Sequence, residues 1–308
     1  MSTRVLGWVR RTAIGALFSA TALSASACTR TFARGDDRGA SDGSATGSVP
    51  DKVVVSIKGS DTMVILAQRW AEEYMKASPG STVQVSGGGS STGITALING
   101  STDICESSRP MSDSEKATLL SARKQSVIET KVALDAVAIY VNESNPIHEI
   151  SIAAIAQVYR GEITTWSALG GPDHAIVLYG RENNSGTYAY FKEHVLGGRD
   201  FAPAMQTLAG TAAVSSAVKG DVFGIGFGGV AYGDGVHALN VRKADGAMAS
   251  SPSLETAQDG TYPLSRFLFL YTMSDAAPST KKFVLWVRGP EGQRTITDVG
   301  YYPLPKKS

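Results

Sequence analysis

Residues 53–74 read VVVSIKGSDTMVILAQRWAEEY and decide the fold, because they place a strand, a small-residue turn and a helix in direct succession. The first residues are mostly β-branched, which predicts a strand ending at Gly59. From Met63 onward, apolar side chains recur at helical spacing through Trp70. Asp61 stands where it would cap this helix. This order is the repeating unit of an α/β protein with a parallel sheet.

The same order recurs twice further along the chain. Residues 82–85 predict a second strand, which leads into the turn GGGSSTG at 87–93 and a helix ending near Ile98. Residues 103–105 predict a third strand, which delivers the sequence SSRP at 107–110 to its carboxyl end. Ligands of such sheets bind beyond the carboxyl ends of the strands, so each turn stands where a ligand is expected.

The second half of the chain continues the alternation. An apolar strand is predicted over 132–141, and Ser151 is placed to cap the helix that follows. A strand over 176–179 delivers Arg181, and Ser185 opens the next helix. The remaining predicted elements are strands at 224–229 and 267–271 and a helix at 281–288.

Three of the turns are rich in glycine and hydroxyl groups: Gly59–Thr62, Gly87–Gly93 and Arg181–Thr187. A helix N-terminus presents unpaired N–H groups and about half a positive charge, which suits phosphate, sulfate or carboxylate. Arg109 and Arg181 add a guanidinium group beside two of these turns. Their combination predicts convergence on one tetrahedral oxyanion.

Each feature also has an ordinary structural interpretation. Gly87–Gly93 fits a plain turn, and Arg109 and Arg181 fit structural ion pairs. Thr62 and Ser185 fit N-caps, whether or not they also contact a ligand.

A hydrolase is the alternative from another functional class. Gly89–Gly93 matches the G-x-S-x-G pattern of a nucleophile elbow, with Ser91 as the nucleophile. The histidines available for a triad are His148, His174, His194 and His237. This interpretation leaves the other two turns unexplained. The sequence has no H-E-x-x-H motif and no paired cysteine motif, so we expect neither a metal nor a cofactor.

Composition excludes some partners. The 308 residues carry a formal net charge of +1, which gives no support for nucleic acid as a partner. Glycine is abundant, at 33 residues, which suits loops where backbone approaches a ligand closely.

The N-terminus has the pattern of an export signal. Residues 1–27 combine arginines, an apolar core and a small-residue cleavage site, and Cys28 follows directly. This predicts a bacterial lipoprotein acylated at Cys28; a soluble periplasmic protein cut near Cys28 is the alternative. Residues 28–51 are polar and predict a flexible tether. Cys105 is then a buried free thiol, unless it pairs with Cys28.

In combination, these motifs resemble the bacterial phosphate-binding proteins, the solute receptors of phosphate ABC transporters. The resemblance covers about residues 53–305. The matching segments are IKGSDTM (57–63), VSGGGSSTGI (85–94), DICESSRPMSDSE (103–115), GRENNSGTYAYF (180–191), VYRGEITTW (158–166), GIGFGGVAY (224–232) and GYYPLP (300–305).

The resemblance implies a two-lobed periplasmic-binding-protein fold of mixed, mostly parallel sheets. Together with the alternation of elements it places residues 52–131 and 264–308 in lobe 1 and residues 132–263 in lobe 2. Two crossing strands, near 132–141 and 264–272, then form the hinge. We expect an exported monomer, in the periplasm or on the cell surface, that binds inorganic phosphate and delivers it to a membrane permease. A receptor for another oxyanion such as sulfate is the alternative.

The site residues implied by the resemblance lie in all three turns. Those matched by the family motifs are Thr62, Met63, Ser90, Ser108, Arg181, Ser185, Gly186 and Thr187. Arg109 joins them as a second guanidinium group, on the hypothesis that each lobe supplies one.

One position departs from the family pattern. The best-known members have an aspartate where this chain has Ser108, and that aspartate accepts the proton of the bound phosphate. The acceptor in this chain is therefore open, with Asp61 and Glu182 as candidates by position.

Overall fold

The structure is a computed structural model that describes residues 53–305. The predicted signal sequence, the tether and Cys28 lie outside the described residues. The strands are β1 (Val53–Gly59), β2 (Ser81–Ser86), β3 (Ile104–Ser107), β4 (Val127–Val141), β5 (Glu149–Ser151), β6 (Val177–Arg181), β7 (Gln206–Leu208), β8 (Gly224–Gly229), β9 (His237–Ala238), β10 (Asn240–Arg242), β11 (Ala249–Ser250) and β12 (Ser265–Met273).

Helices follow most of these strands, as the alternating pattern predicts. They are α1 (Val64–Ala77), α2 (Ser90–Asn99), α3 (Asp113–Arg123), α4 (Ile152–Tyr159), α5 (Gly186–His194), α6 (Thr211–Gly220), α7 (Leu254–Gln258), α8 (Pro278–Arg288) and α9 (Pro290–Val299). None of the helices within residues 53–305 combines the length and the apolar composition needed to cross a bilayer.

The main sheet is mixed, with the strand order β2-β1-β3-β12-β4-β8-β6-β7 and β9 also paired to β4. The outer pairs β1–β2, β1–β3, β6–β7 and β6–β8 are parallel. The pairs that β4 and β12 form are antiparallel. These two strands run side by side through the middle of the sheet, as expected for crossing strands.

Two large hydrophobic cores lie along this sheet. One packs α1, α8 and α9 against β1 and β3, and its largest members include Trp70, whose indole N–H donates to the Gly292 carbonyl at 2.9 Å. The other packs α4, α5 and β8 around Tyr159, Phe191 and Phe227. β4 contributes to both cores, because Val132 belongs to the first and Ala136, Val137, Ile139 and Val141 belong to the second.

Burial follows from the local sequence. α1 buries Leu66, Ala67, Trp70 and Tyr74, which recur on one helical face as predicted. Ser151 caps α4 by accepting a hydrogen bond from the Ala154 N–H at 3.2 Å, also as predicted. Cys105 is a buried free thiol, and burial raises its pKa.

Candidate oxyanion-binding site

Three threonine hydroxyl groups meet at the centre of the molecule. Thr62 follows β1, Thr187 lies in the first turn of α5, and Thr211 begins α6. The Thr62 and Thr187 Oγ1 atoms are 2.8 Å apart, and the Thr62 and Thr211 Oγ1 atoms are 3.4 Å apart. All three residues are buried. Segments far apart in sequence therefore bring hydroxyl groups to one point.

Arg181 extends from the end of β6 into this cluster. Its Nη1 donates to Thr211 Oγ1 at 2.7 Å, and its Nη2 donates to Asp61 Oδ2 at 2.7 Å. Its Nε has no hydrogen-bond partner among residues 53–305. Burial lowers the pKa of Arg181, and the Asp61 carboxylate offsets part of this change. An arginine remains charged even so, and this one is 1% exposed.

A chain of serine hydroxyl groups adjoins the threonines. Ser60 Oγ donates to Ser108 Oγ at 2.9 Å, and the Ser108 N–H donates to Ser90 Oγ at 3.1 Å. Gly186 lies against this chain, since a Cβ atom there would be 2.2 Å from Ser90 Oγ and 2.7 Å from Ser108 Oγ. The close approach of α5 to these serines therefore requires glycine at position 186.

The helix starts around these hydroxyls supply a further positive field. Ser90 begins α2, Gly186 begins α5 and Thr211 begins α6. Ser185 caps α5 by accepting from the Thr187 and Tyr188 N–H groups at 3.2 and 3.3 Å. The N-terminal ends of these helices favour negative charge at the same place.

A buried ion pair supports the site from the crossing strands. Arg266 Nη2 on β12 donates to Asp135 Oδ2 on β4 at 2.7 Å and to Thr187 Oγ1 at 2.9 Å. The Val230 N–H donates to the other oxygen of Asp135 at 3.1 Å. Burial raises the pKa of Asp135, and Arg266 opposes that change. Arg266 thus links the crossing strands to a hydroxyl of the site.

The turn that contains Asp61 differs from the prediction. α1 begins at Val64 and its N-cap residue, Met63, makes no side-chain capping bond, so Asp61 is not the cap. The Asp61 carboxylate instead accepts from the Gly88 N–H at 2.8 Å as well as from Arg181. The Asp61 carboxylate therefore accepts hydrogen bonds from residues distant in sequence and not from the N–H groups of the first turn of α1.

Arg109 forms an ion pair of its own in this structure. Its Nη1 and Nη2 donate to the two Glu115 carboxylate oxygens at 2.8 and 2.7 Å, and Nη2 also donates to Ser91 Oγ at 3.1 Å. Within residues 53–305, the Arg109 guanidinium donates no hydrogen bond to Thr62, Thr187 or Thr211. In this structure Arg181 joins the threonine cluster and Arg109 pairs with Glu115, and convergence of both guanidinium groups on one ion stays a prediction.

Two other predicted residues have backbone roles in this structure. The Met63 N–H donates to the Ser60 carbonyl at 2.8 Å, and the Met63 side chain is buried in the hydrophobic core. The Glu182 carbonyl accepts from the Ser185 N–H at 3.0 Å, which shapes the turn before α5. Within the described chain, no hydrogen bond of the Glu182 carboxylate to another residue is recorded.

Sequence reasoning missed three residues of the site. Thr211 follows Gly210 at a helix start, so it repeats the glycine–hydroxyl signal of the other turns. Asp135 lies in the apolar, buried part of β4 and Arg266 is the one charged residue of β12, and a charge in such a setting needs a partner. The strand register places them opposite each other.

The features required by the hydrolase alternative do not come together. Ser91 Oγ accepts from Arg109, and the Ser91 N–H donates to the Asn184 carbonyl at 3.1 Å. Within residues 53–305, no histidine is hydrogen-bonded to Ser91, and His148 instead faces His237 with ring nitrogens 3.3 Å apart. The same range contains no group of three or more side chains suited to hold a metal ion.

Comparison with known proteins identifies the family. The model of the PBP superfamily domain matches residues 32–291. The chain therefore belongs to the PBP superfamily, and its two-lobed mixed α/β architecture is that of its structural neighbours.

Relatives within the family are described as phosphate-binding proteins. Phosphate-binding protein PstS of Pseudomonas aeruginosa is 33% identical over 270 residues, which cover 82% of this chain and 84% of that protein. Phosphate-binding protein PstS of Bacillus subtilis is 28% identical over 273 residues, which cover 88% of this chain and 87% of that protein.

Solved structures of phosphate-transport proteins are also similar to this chain. A phosphate ABC transporter substrate-binding protein with bound phosphate from Clostridium perfringens matches with a TM-score of 0.75 at 27% identity, over 82% of this chain and 100% of that one. An ABC-type phosphate transport receptor from Vibrio cholerae matches with a TM-score of 0.66 at 29% identity, over 82% of this chain and 100% of that one.

Proposed function

We propose that this protein binds inorganic phosphate between two lobes and delivers it to the transmembrane permease of an ABC transporter. The observation that carries the proposal is the buried cluster in which Thr62, Thr187 and Thr211 meet the Arg181 guanidinium. Hydroxyl groups, helix N-termini and a guanidinium are the donors that a tetrahedral oxyanion requires. The relatives described as phosphate-binding proteins support phosphate as that ion.

Binding replaces the water molecules around the ion with hydrogen-bond donors that the protein holds in place. Each hydrogen bond to a charged group contributes roughly 1.5–3 kcal/mol. Phosphate would take the place of direct contacts between side chains such as Thr62 and Thr187, and the unpaired Nε of Arg181 is one further donor. Several such bonds are enough for affinity in the micromolar range or tighter.

Closure about the crossing strands is the proposed motion. We assign residues 52–131 and 264–308 to lobe 1 and residues 132–263 to lobe 2, with β4 and β12 as the hinge. Two separate hydrophobic cores support this division. The register between β12 and β4 also shifts at Leu268 and Phe269, and such a bulge bends a strand locally.

The cellular setting follows from the same family. We propose that the protein is exported, that Cys28 carries a lipid anchor, and that the monomer presents its closed form to the permease. A protein that captures an ion for a membrane transporter must act on the outer side of that membrane.

Specificity depends on the serine chain. Ser108 stands where the best-known relatives have an acid, and the hydroxyls of Ser60, Ser90 and Ser108 each have the capacity to donate or accept. A hydroxyl that adapts in this way accepts a hydrogen bond from the protonated oxygen of HPO4²⁻ but also donates one to sulfate. Sulfate is therefore the second ligand to test.

Calorimetric titration of protein produced from the full-length sequence, with phosphate, arsenate and sulfate in parallel, tests the proposal. We expect phosphate to bind in the micromolar range or tighter and sulfate to bind more weakly. If sulfate binds more tightly than phosphate, sulfate and not phosphate is the ligand. No binding of any of the three ions would reject an oxyanion receptor, and labelling of Ser91 by an active-serine probe would point to the hydrolase instead.

A further inference from the structure

Glu106 on β3 is a fully buried acid beside the proposed site. It is 0% exposed, and neither carboxylate oxygen has a hydrogen-bond partner within residues 53–305. It is two residues from Ser108, and its carbonyl accepts from the Ser60 N–H at 3.0 Å. A Cβ atom on Gly59 would lie 3.1 Å from Glu106 Cγ, so this side chain packs directly against the turn that carries Thr62.

Glu106 forms no ion pair with any cationic side chain of residues 53–305. Asp61, in the turn after β1, and Tyr232, in the short 3-10 helix after β8, are titratable neighbours of Glu106. Cys105 is the titratable neighbour on its own strand, and Leu270 lies opposite on β12. An ionised carboxylate in such surroundings has a large free-energy cost, because Glu106 is shielded from bulk solvent and has no positive partner within residues 53–305.

The cation of the threonine cluster is already engaged. Arg181 is held between Asp61 and Thr211, and Asp61 also accepts from the Gly88 N–H. Burial, followed by the negative charge of Asp61, raises the pKa of Glu106 well above its ordinary value. Both effects favour the neutral acid.

We propose that Glu106 is held as a neutral carboxylic acid and that its ionisation opposes phosphate binding, so that Glu106 sets the alkaline limit of the receptor. The proposal rests on the phosphate-binding function proposed above. A bound anion and an ionised Glu106 would be like charges in a water-poor region, which disfavour each other. By linkage, protonation of Glu106 raises the affinity for phosphate by the same factor by which bound phosphate raises the affinity of Glu106 for its proton.

The test compares wild type with Glu106→Gln, which keeps the shape and stays neutral. Phosphate affinity is measured by calorimetry at each pH from about 6 to about 10, and the ratio of the two dissociation constants cancels the titration of phosphate itself. We expect the two proteins to agree within about twofold at the acid end. At the alkaline end the wild type binds roughly tenfold more weakly than the variant, which corresponds to about one pKa unit of coupling.

Two results would overturn the proposal. A ratio that stays constant across the whole series excludes a titrating Glu106 coupled to the ligand. Loss of affinity in Glu106→Gln at neutral pH shows instead that an ionised Glu106 accepts the phosphate proton. Absence of phosphate binding by wild type at every pH is a separate outcome, which rejects the proposed function itself.

Controls keep the comparison interpretable. Glu72→Gln makes the same chemical change at an exposed residue of α1, and its ratio to wild type should stay constant with pH. Thermal unfolding checks that each variant folds. If Glu106→Gln does not fold, Glu106→Met offers a neutral side chain of similar length, and the same alkaline divergence is expected.

Discussion

Two regions of the molecule hold arginine–carboxylate pairs, and they behave differently. In the site, Arg181 and Arg266 are nearly inaccessible, and each also donates to a threonine hydroxyl. At the edge of the site, Arg109 is 15% exposed and both of its Nη atoms donate to Glu115. An arginine whose two Nη atoms both donate to one carboxylate has few N–H groups free for a ligand. An arginine that donates to a carboxylate and to a hydroxyl group positions several donors around a ligand.

The largest expected effect comes from breaking the pair on the crossing strands. Asp135→Asn removes the charge that compensates Arg266 in a fully buried setting. We expect the free energy of unfolding to fall by about 3–5 kcal/mol, the usual cost of leaving a buried charge unpaired. Urea denaturation measures this, with Glu115→Gln as the control at the partly buried Arg109–Glu115 pair. An equal fall in the free energy of unfolding of Asp135→Asn and Glu115→Gln would contradict the proposed difference between the two arginine–carboxylate pairs.

Removing the site guanidinium should have the next largest effect. We expect Arg181→Ala to weaken phosphate binding at least tenfold, or about 1.4 kcal/mol, because a charge-assisted donor beside Thr211 is lost. Calorimetry measures the dissociation constant, and circular dichroism confirms folding. An unchanged affinity would remove Arg181 from the proposed site.

Arg109→Ala is the matched variant at the edge. Because Glu115 and Ser91 engage its guanidinium, we expect phosphate affinity to change by less than about threefold. The same calorimetric titration measures it. A loss as large as that of Arg181→Ala would restore the original expectation that both arginines contact the ion.

The smallest effect is a pH dependence of stability. Burial raises the pKa of Glu115, but hydrogen bonds and charge from Arg109 outweigh burial and leave it below its ordinary value. The stability from this pair is therefore present above the ordinary carboxyl pKa and decreases as pH falls through the lowered value. Acid unfolding should be slightly less steep in Glu115→Gln than in wild type. Identical profiles would show that the pair adds no measurable stability.

Local patterns predicted much of the site. Ser185 lies at a helix start after a strand, and Thr62 and Thr187 lie in hydroxyl-rich turns, so each carries a short-range signal. Thr211 carries the same signal in a weaker form. The sequence did not reveal the partners of the charged groups, because Asp61 meets Arg181 and Asp135 meets Arg266 only across strands far apart in the chain.

The sequence by itself determined the alternation of strands and helices and the glycine–hydroxyl turns between them, since periodicity and turn composition are local properties. Tertiary structure decided which arginine joins the threonine cluster, which acid has a partner and which acid, Glu106, has none within residues 53–305. The physical reason is that the charge state and the free donors of a buried group depend on all of its neighbours, and those neighbours are set by the packing of β1, β3, β4, β6 and β12 together.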